Sequence, residues 1–199
     1  MHSGADPWCI YKNGYYYYTN TTGHNITIWK TDNIAKLAAA EKKIVFTPPA
    51  HTAYSKAEWA PEIHFLKRKR LSLKRRWFIY FAADSGYNKD HRMWVLENSS
   101  RDPMKGIWKM KGKLNTPSDK WSIDGTVYNL KGKLYFLWSG WQNDKNGQQD
   151  IYIAKMKTPW TLVGERVRLS SPTLEWETHG DLKKQDDEAH VNVNEGPQI

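Results

Sequence analysis

Four carboxylates recur along the chain, each beside turn-forming residues and close to a run of aromatic residues. They are Asp6 in ADPW, Glu62 in WAPEIH, Asp124 in SIDGTV and Glu195 in NEGPQ, at intervals of 56, 62 and 71 residues. Carboxyl groups held close together can divide acid and base chemistry between them, because their surroundings keep one protonated while another is ionised. A fold that brings these residues to one axis would therefore build a site for acid–base catalysis.

The segments between the acids are predicted to be strands. Short aromatic runs bounded by turn residues are typical of β-strands, and each run here is followed by a second strand of related pattern. The runs are 15–18, 77–81 and 134–138, and the strands that follow are 26–30, 92–96 and 151–155. Only one helix is predicted, a short one around residues 34–41. The fold class is therefore all-β.

The spacing of these units predicts a β-propeller. A loose period with several short strands per unit is typical of that fold, each unit being one four-stranded blade. The innermost strand of each blade lines a central channel, so residues far apart in sequence meet there. A β-sandwich is the competing fold, but it does not explain why the acids keep phase with the aromatic strands.

The composition is that of a globular chain. Of its 199 residues, 39% are hydrophobic and 26% are charged, which allows a packed core and argues against general disorder. The 11 Trp and 11 Tyr favour strands and also offer flat rings on which sugars or nucleobases stack. No apolar run reaches the roughly 20 residues of a membrane span, and no apolar stretch typical of a secretory signal follows residues 1–4.

The single cysteine, Cys9, excludes an internal disulfide and a four-cysteine zinc site. It lies in an alternating run of apolar residues, and this pattern predicts a buried small hydrophobe rather than a nucleophile.

The positive charge of the chain is concentrated in one segment. The net charge is +9, and residues 67–76 (KRKRLSLKRR) hold seven basic side chains, without which the net charge would be +2. We expect this segment to form an exposed hairpin tip joining two strands of the second blade. Binding of a nucleic acid is the alternative interpretation, although no aromatic residue interleaves with the basic run.

Segments along nearly the whole chain resemble glycoside hydrolase family 43, especially its α-L-arabinofuranosidase-like and β-xylosidase-like members. They are ADPW, GYYYYTNTTG, WAPEIHF, WFIYFAAD, HRMWVLE, SDKWSIDGTVYNLKGKLYFLWSGW, QQDIYIAKMKTPW, RVRLSSPT and NEGPQI, in family order. The resemblance implies a five-bladed propeller, of which this chain holds three blades and the first strand of a fourth. The expected blades are 5–50, 58–115 and 120–172, and the fourth begins at 189–199, all within one incomplete catalytic domain.

The resemblance also implies roles for individual residues. Members of the family are inverting glycosidases, and the matching positions make Asp6 the general base, Asp124 the modulator of pKa and Glu195 the general acid. Trp59, in the WAPE match, is expected to stack on the sugar near the bond that is cut. Glu62 receives no catalytic role, and a structural hydrogen bond is expected of it. Some relatives hold a calcium ion in the channel, but no residue of this chain is assigned to a metal or cofactor.

The expected function is hydrolysis of terminal α-L-arabinofuranosyl or β-xylosyl linkages in plant cell-wall polysaccharides, with arabino- or xylo-oligosaccharides as substrates. The alternatives are an inert carbohydrate-binding fragment and, ranked last, a nucleic-acid binder using residues 67–76. Because the chain ends where the fourth blade begins, we expect a fragment with open propeller edges that could self-associate. The full-length parent is expected to be extracellular or periplasmic.

Overall fold

The computed structural model describes residues 4–68, 74–145, 147–179 and 192–199. Within these ranges the chain forms three sheets, each built on four antiparallel strands that pair in sequence order, and a short fifth strand joins the third sheet. We number the sheets as blades one to three. The all-β fold class predicted from the sequence is confirmed, and no helix among the described residues is long and apolar enough to cross a membrane.

The strands of each blade follow one another with short connections. Blade one comprises β1 (Ala5–Lys12), β2 (Tyr15–Thr21), β3 (Ile26–Thr31) and β4 (Glu41–Phe46). Blade two comprises β5 (Lys56–Lys67), β6 (Arg75–Asp84), β7 (Arg92–Asn98) and β8 (Lys109–Leu114). Blade three comprises β9 (Ser122–Leu130), β10 (Lys133–Trp141), β11 (Gln148–Thr158) and β12 (Thr161–Ser170). A two-residue strand, β13 (Asn192–Val193), pairs in parallel with β11.

The first strands of the blades lie next to one another, as the inner strands of a propeller do. Strands β1 and β2 contact β5, and β5 and β6 contact β9. Since the inner strand of each blade meets that of the next, residues near the starts of β1, β5 and β9 are brought to one end of the channel.

The core lies at the two interfaces between blades, and β6 belongs to both. Residues 77–83 of β6 are fully buried. Side chains of a strand alternate between its two faces; accordingly Trp77, Ile79 and Phe81 pack with blade one, whereas Phe78 and Tyr80 pack with blade three. The aromatic run that predicted this strand therefore supplies apolar surface to both neighbours.

The predicted helix is a 3₁₀ helix, Ile34–Ala39, and Glu41 already belongs to β4. Its first turn is capped by the side chain of Asn33, which accepts a hydrogen bond from the Ala35 N–H. Two further 3₁₀ helices, Asn88–Asp90 and Glu175–Thr178, have no counterpart in the sequence prediction.

The prediction that Cys9 is buried is wrong, because its side chain is exposed. Strand β1 alternates along its length: Trp8 and Ile10 are half-buried and pack against the interface with blade two, whereas Cys9 and Tyr11 are exposed on the other face. An alternating pattern shows that a strand has two faces, but it does not show which face is covered.

The predicted basic hairpin tip is described only at its base. Lys67 at the end of β5 pairs with Arg75 at the start of β6, so the two strands do form a hairpin. Residues 69–73 of the basic run lie outside the described residues.

Candidate active site

The inner strands share one backbone feature, a residue with positive φ followed by proline or glycine. Asp6 has a φ of 55°, Ala60 of 43° and Asp124 of 53°, and the same pattern recurs at Gly196 with a φ of 61°. A break in the pairing register accompanies the first three of these residues. The extra residue of such a bulge bends the strand and re-aims its side chains, so each turn presents its residue at the end of the channel.

The four carboxylates do not occupy equivalent positions in this repeat. Asp6 and Asp124 are the turn residues themselves, whereas Ala60 takes that position in blade two. Glu62 follows its turn residue by two positions, and Glu195 precedes Gly196 by one. The repeat is therefore a property of the backbone, and an acid at the turn itself is found only in blades one and three of the described chain.

Asp6 is exposed, and the second strand of its own blade orients its carboxylate. The Thr21 hydroxyl donates a hydrogen bond to Asp6 Oδ2. The same Thr21 Oγ1 accepts the backbone N–H of Ala60 at 2.7 Å. One hydroxyl thus links the turns of blades one and two and fixes Asp6 relative to the next inner strand.

Asp124 lies in a more crowded environment. It accepts the backbone N–H of Gly196 at 3.2 Å through Oδ2. Burial, followed by the negative charges of Glu195 and Asp6, raises the pKa of Asp124 to about 7, although the Gly196 N–H opposes this rise. Both causes disfavour the ionised form of a carboxyl group, so Asp124 holds a proton in weakly acidic solution.

Glu195 is brought to Asp124 by a segment anchored on blade three. The Asn194 N–H donates to the Gln149 carbonyl at 3.0 Å, and the Asn194 carbonyl accepts the Ser139 hydroxyl at 2.8 Å. Glu195 is exposed as a residue, yet partial desolvation of its carboxyl group and the charge of Asp6 raise its pKa. The negative charges of Asp6 and Glu195 thus act on Asp124, and the charge of Asp6 also acts on Glu195.

Glu62 is buried and has two hydrogen-bonding partners. Its Oε2 lies 2.9 Å from His64 Nε2, and its Oε1 accepts the Gln198 side-chain amide at 3.0 Å. Gln198 thus ties the segment after Glu195 to the inner strand of blade two. Glu62 acts here as a bridge between segments, which is the structural hydrogen bonding expected from the sequence.

Trp59 is half-buried one residue before the turn of blade two, and its ring stacks on His91 with 4.0 Å between ring centroids. His91 is itself fully buried and held by Asp84, whose carboxylate is 3.0 Å from Nδ1. The Trp59 ring is thus supported from behind by a fixed imidazole.

A small cavity of about 100 Å³ collects these groups. Its lining includes Asp6, Glu62 and Asp124, together with Trp8 and Gln198. Glu195 adjoins it through Gly196, which is also in the lining, whereas Trp59 does not line it. Among the described residues no group of three or more His, Cys, Asp or Glu is arranged to hold a metal ion.

Sequence reasoning missed two residues of this site, Thr21 and Gln198. Thr21 ends an aromatic strand and carries no local signal of its contact with Asp6, because that contact depends on the pairing of β1 with β2. Gln198 lies in the quoted motif around Glu195, and its position two residues after a turn glycine matches that of Glu62 in blade two. This match in position could have identified Gln198 as a site residue from the sequence.

Known proteins resemble this chain in sequence and in fold. The family model described as "Glycosyl hydrolases family 43" matches residues 2–199. The chain belongs to this family.

Three similar proteins are informative. An extracellular exo-alpha-(1->5)-L-arabinofuranosidase of Streptomyces avermitilis is 34% identical over 98% of this chain and 38% of its own length. The crystal structure of an alpha-L-arabinofuranosidase from Lactobacillus brevis superposes with a TM-score of 0.79 at 33% identity, over 88% of this chain and 56% of that one. An endo-arabinase from Bacteroides thetaiotaomicron shares the fold, with a TM-score of 0.70 at 18% identity, over 96% of this chain and 64% of that one. The chain thus spans about two fifths of the length of the Streptomyces relative.

Proposed function

We propose that this chain carries the three-carboxylate site of an inverting glycoside hydrolase that releases terminal α-L-arabinofuranosyl residues from plant cell-wall polysaccharides. The observation that carries the proposal is the cavity lined by Asp6 and Asp124 and adjoined by Glu195, with raised pKa values at Asp124 and Glu195. The relatives named above favour arabinofuranosyl over xylosyl linkages, and the name of the Streptomyces relative favours an extracellular parent protein.

Asp6 is proposed as the general base. Its side chain is exposed, so water can reach it, and the Thr21 hydroxyl holds one carboxylate oxygen in place. In an inverting reaction the base removes a proton from the water that attacks the sugar from the face opposite the leaving oxygen. Thr21 is then a positioning residue, because it touches Asp6 and not the substrate.

Glu195 is proposed as the general acid and Asp124 as the modulator of its pKa. An acid catalyst must carry its proton near the working pH, and a carboxyl group does so when it is desolvated or faces other negative charge. Ionisation of one of these two groups disfavours ionisation of the other, so the pair retains a proton towards neutral pH. The Gly196 N–H bonded to Asp124 keeps the two residues in a fixed relation.

Trp59 is proposed to stack on the bound sugar. Its indole is half-exposed, and His91 behind it restricts the ring to one orientation. A flat apolar surface of this kind suits the C–H face of a sugar ring.

The test is hydrolysis of 4-nitrophenyl α-L-arabinofuranoside and of linear arabino-oligosaccharides. Because the relatives are longer, the chain is assayed alone and after fusion of the segment that follows the aligned region in the Lactobacillus brevis enzyme. We expect the fused chain to hydrolyse these substrates. The first product should have the inverted anomeric configuration relative to the substrate, which ¹H NMR detects.

Retention of configuration would contradict the roles given to Asp6 and Glu195. Absence of hydrolysis by a fused chain that folds, as judged by circular dichroism, would contradict the proposed function itself. Faster hydrolysis of the matching β-xyloside would move the substrate preference to xylosyl linkages.

A further inference from the structure

A second cavity lies at the other end of the inner strands. It has a volume of about 440 Å³ and is walled by the ends of β5 and β11 and by the hairpin joining β9 to β10. Leu66 in its wall is six residues beyond Ala60 along β5, and Asn129 is five residues beyond Asp124 along β9. At about 3.3 Å per strand residue, this cleft is roughly 17–20 Å from the carboxylates.

The rim of the cleft is strongly cationic. It is formed by side chains from two different blades: Lys67, Arg68, Arg75, Lys133, Lys155 and Lys157. No carboxylate lines the cavity among the described residues. Cations gathered around a concave surface concentrate positive potential there and attract anions.

Among the described ion pairs, Glu97 is the one carboxylate that offsets this charge. Glu97 lies 3.1 Å from Arg68 and 3.5 Å from Lys111. The described ion pairs include no partner for Lys133, Lys155 or Lys157, all three of which lie on blade three. No described carboxylate therefore competes with a ligand for these three ammonium groups.

The wall of the cleft also has an apolar part, formed by Leu66, Leu134, Met156 and Pro159. No aromatic ring lines it among the described residues. The nearby Trp160 is already engaged, with the charged groups of Arg68 and Lys111 over its ring at 5.1 and 4.5 Å. Proteins that hold single-stranded nucleic acids stack the bases on aromatic rings, so the cleft lacks the feature that a nucleic acid would use.

We propose that this cleft binds a segment of polysaccharide that carries carboxylate groups, such as a run of uronic acid residues. The lysines would pair with the carboxylates, and the apolar wall would contact the C–H faces of the sugar rings. The volume is within the usual range of ligand sites. The choice of a polysaccharide rests on the proposed function, whereas the preference for an anion rests on the cleft alone.

The proposal gives the molecule two distinct sites at opposite ends of its inner strands. The carboxylate end receives a neutral sugar at the bond to be cut, and the cationic end holds an acidic part of the same polymer. Retention on the polymer between cleavage events would raise the local concentration of cleavable branches.

The test is binding of polygalacturonate to the 199-residue chain by isothermal titration calorimetry at low and moderate salt. A triple variant, Lys133→Ser/Lys155→Ser/Lys157→Ser, removes rim charge from one blade. The matched control, Lys36→Ser/Lys42→Ser/Lys145→Ser, removes the same charge from exposed positions elsewhere. We expect the cleft variant to bind polygalacturonate at least about tenfold more weakly than the parent chain does. The control variant should bind it as the parent does. Binding of neutral debranched arabinan should depend neither on these substitutions nor on salt.

Equal weakening in both variants would overturn the proposal, because the attraction would then depend on net charge and not on the cleft. Tighter binding of single-stranded DNA than of polygalacturonate, lost in the cleft variant alone, would assign the cleft to a nucleic acid instead. Absence of polygalacturonate binding at low salt would also overturn it.

A second measurement covers the case in which the triple variant fails to fold. Acetylation of the parent chain by acetic anhydride, read by mass spectrometry, should be slowed by polygalacturonate at Lys133, Lys155 and Lys157 and unchanged at Lys36 and Lys42. Unchanged acetylation of the cleft lysines would contradict the proposal. Both measurements follow binding and not hydrolysis, so a chain that binds but does not cleave would count against the proposed function alone.

Discussion

The turns at Asp6 and Asp124 have nearly the same backbone and very different surroundings. Their φ values are 55° and 53°, and each lies at the start of an inner strand. Asp6 is exposed and bonded to one hydroxyl, whereas Asp124 is half-buried among other acids and has a pKa of about 7. The backbone thus places both carboxylates at the channel, and the neighbours of Asp124 favour its protonated form.

Ala60 extends this comparison to blade two. It adopts the same positive φ without a carboxylate, and its N–H is held by Thr21. Aspartate tolerates the left-handed region better than alanine does, because its short polar side chain forms local hydrogen bonds. The same turn is therefore more strained in blade two than in blades one and three.

The largest expected effect is the loss of catalysis on replacing Asp6. In the fused chain, Asp6→Asn removes the proposed base, and kcat/KM on both the aryl arabinofuranoside and natural oligosaccharides should fall by about 10²–10⁴. Glu195→Gln should instead spare the aryl substrate, because a good leaving group needs little proton donation. The control Asp32→Asn changes an exposed acid in blade one. Equal losses on both substrates for both site variants would contradict the division of roles.

The next effect concerns stability at Asp124. Because its folded pKa is raised to about 7, the native state binds this proton more tightly than the unfolded chain does. The stabilisation that protonated Asp124 provides is therefore fully present below about pH 4, and it is lost as the pH rises from there through about 7. Asp124→Asn removes the ionisation, so the variant should gain on the order of 2 kcal/mol over the parent at pH 9.

The measurement for Asp124→Asn is urea unfolding at pH 5 and pH 9, with Asp32→Asn as the matched control. At pH 5 the gain should be clearly smaller than at pH 9, because only part of the Asp124 contribution has been lost there. A gain at pH 5 as large as that at pH 9 would show that ionisation of Asp124 is not the cause.

How much of this could be predicted from the sequence depends on whether the signal is local. The aromatic strands and the Asp-Pro and Asp-Gly turns are visible in short segments, and they led to the propeller and to Asp6 and Asp124. The contact of Thr21 with Asp6, the exposure of Cys9 and the offset of Glu62 depend on strand register and on which face a neighbouring blade covers. The cationic cleft shows the same limit: residues 67–76 stood out as a run, but Lys133, Lys155 and Lys157 join them only through the packing of two blades.

A smaller effect is expected at Thr21, which links the two turns. Thr21→Val removes the hydroxyl that Asp6 accepts and leaves the Ala60 N–H without its partner. The loss of these bonds should lower the free energy of unfolding by about 1–2 kcal/mol and reduce kcat of the fused chain more than it raises KM. Thr21→Ser keeps the hydroxyl and should retain most of both. A serine variant as impaired as the valine variant would assign the effect to packing of the methyl group.

The smallest expected effect tests the strain at Ala60. Glycine adopts positive φ without the clash that a Cβ causes, so Ala60→Gly should relieve the left-handed conformation at 43°. Alanine in that region costs roughly 1–2 kcal/mol, but glycine also gives up the buried methyl group and gains freedom in the unfolded chain. We therefore expect a net stabilisation of less than about 1 kcal/mol.

Ala82 is the matched control, since it is fully buried, pairs with Trp59 on the adjacent strand and has no positive φ. Ala82→Gly should destabilise by about 1 kcal/mol. The measurement is chemical denaturation of the two variants side by side. Equal destabilisation would mean that the backbone of the blade-two turn is not strained at Ala60. The inner-strand repeat would then place no conformational restriction on the residue at its turn.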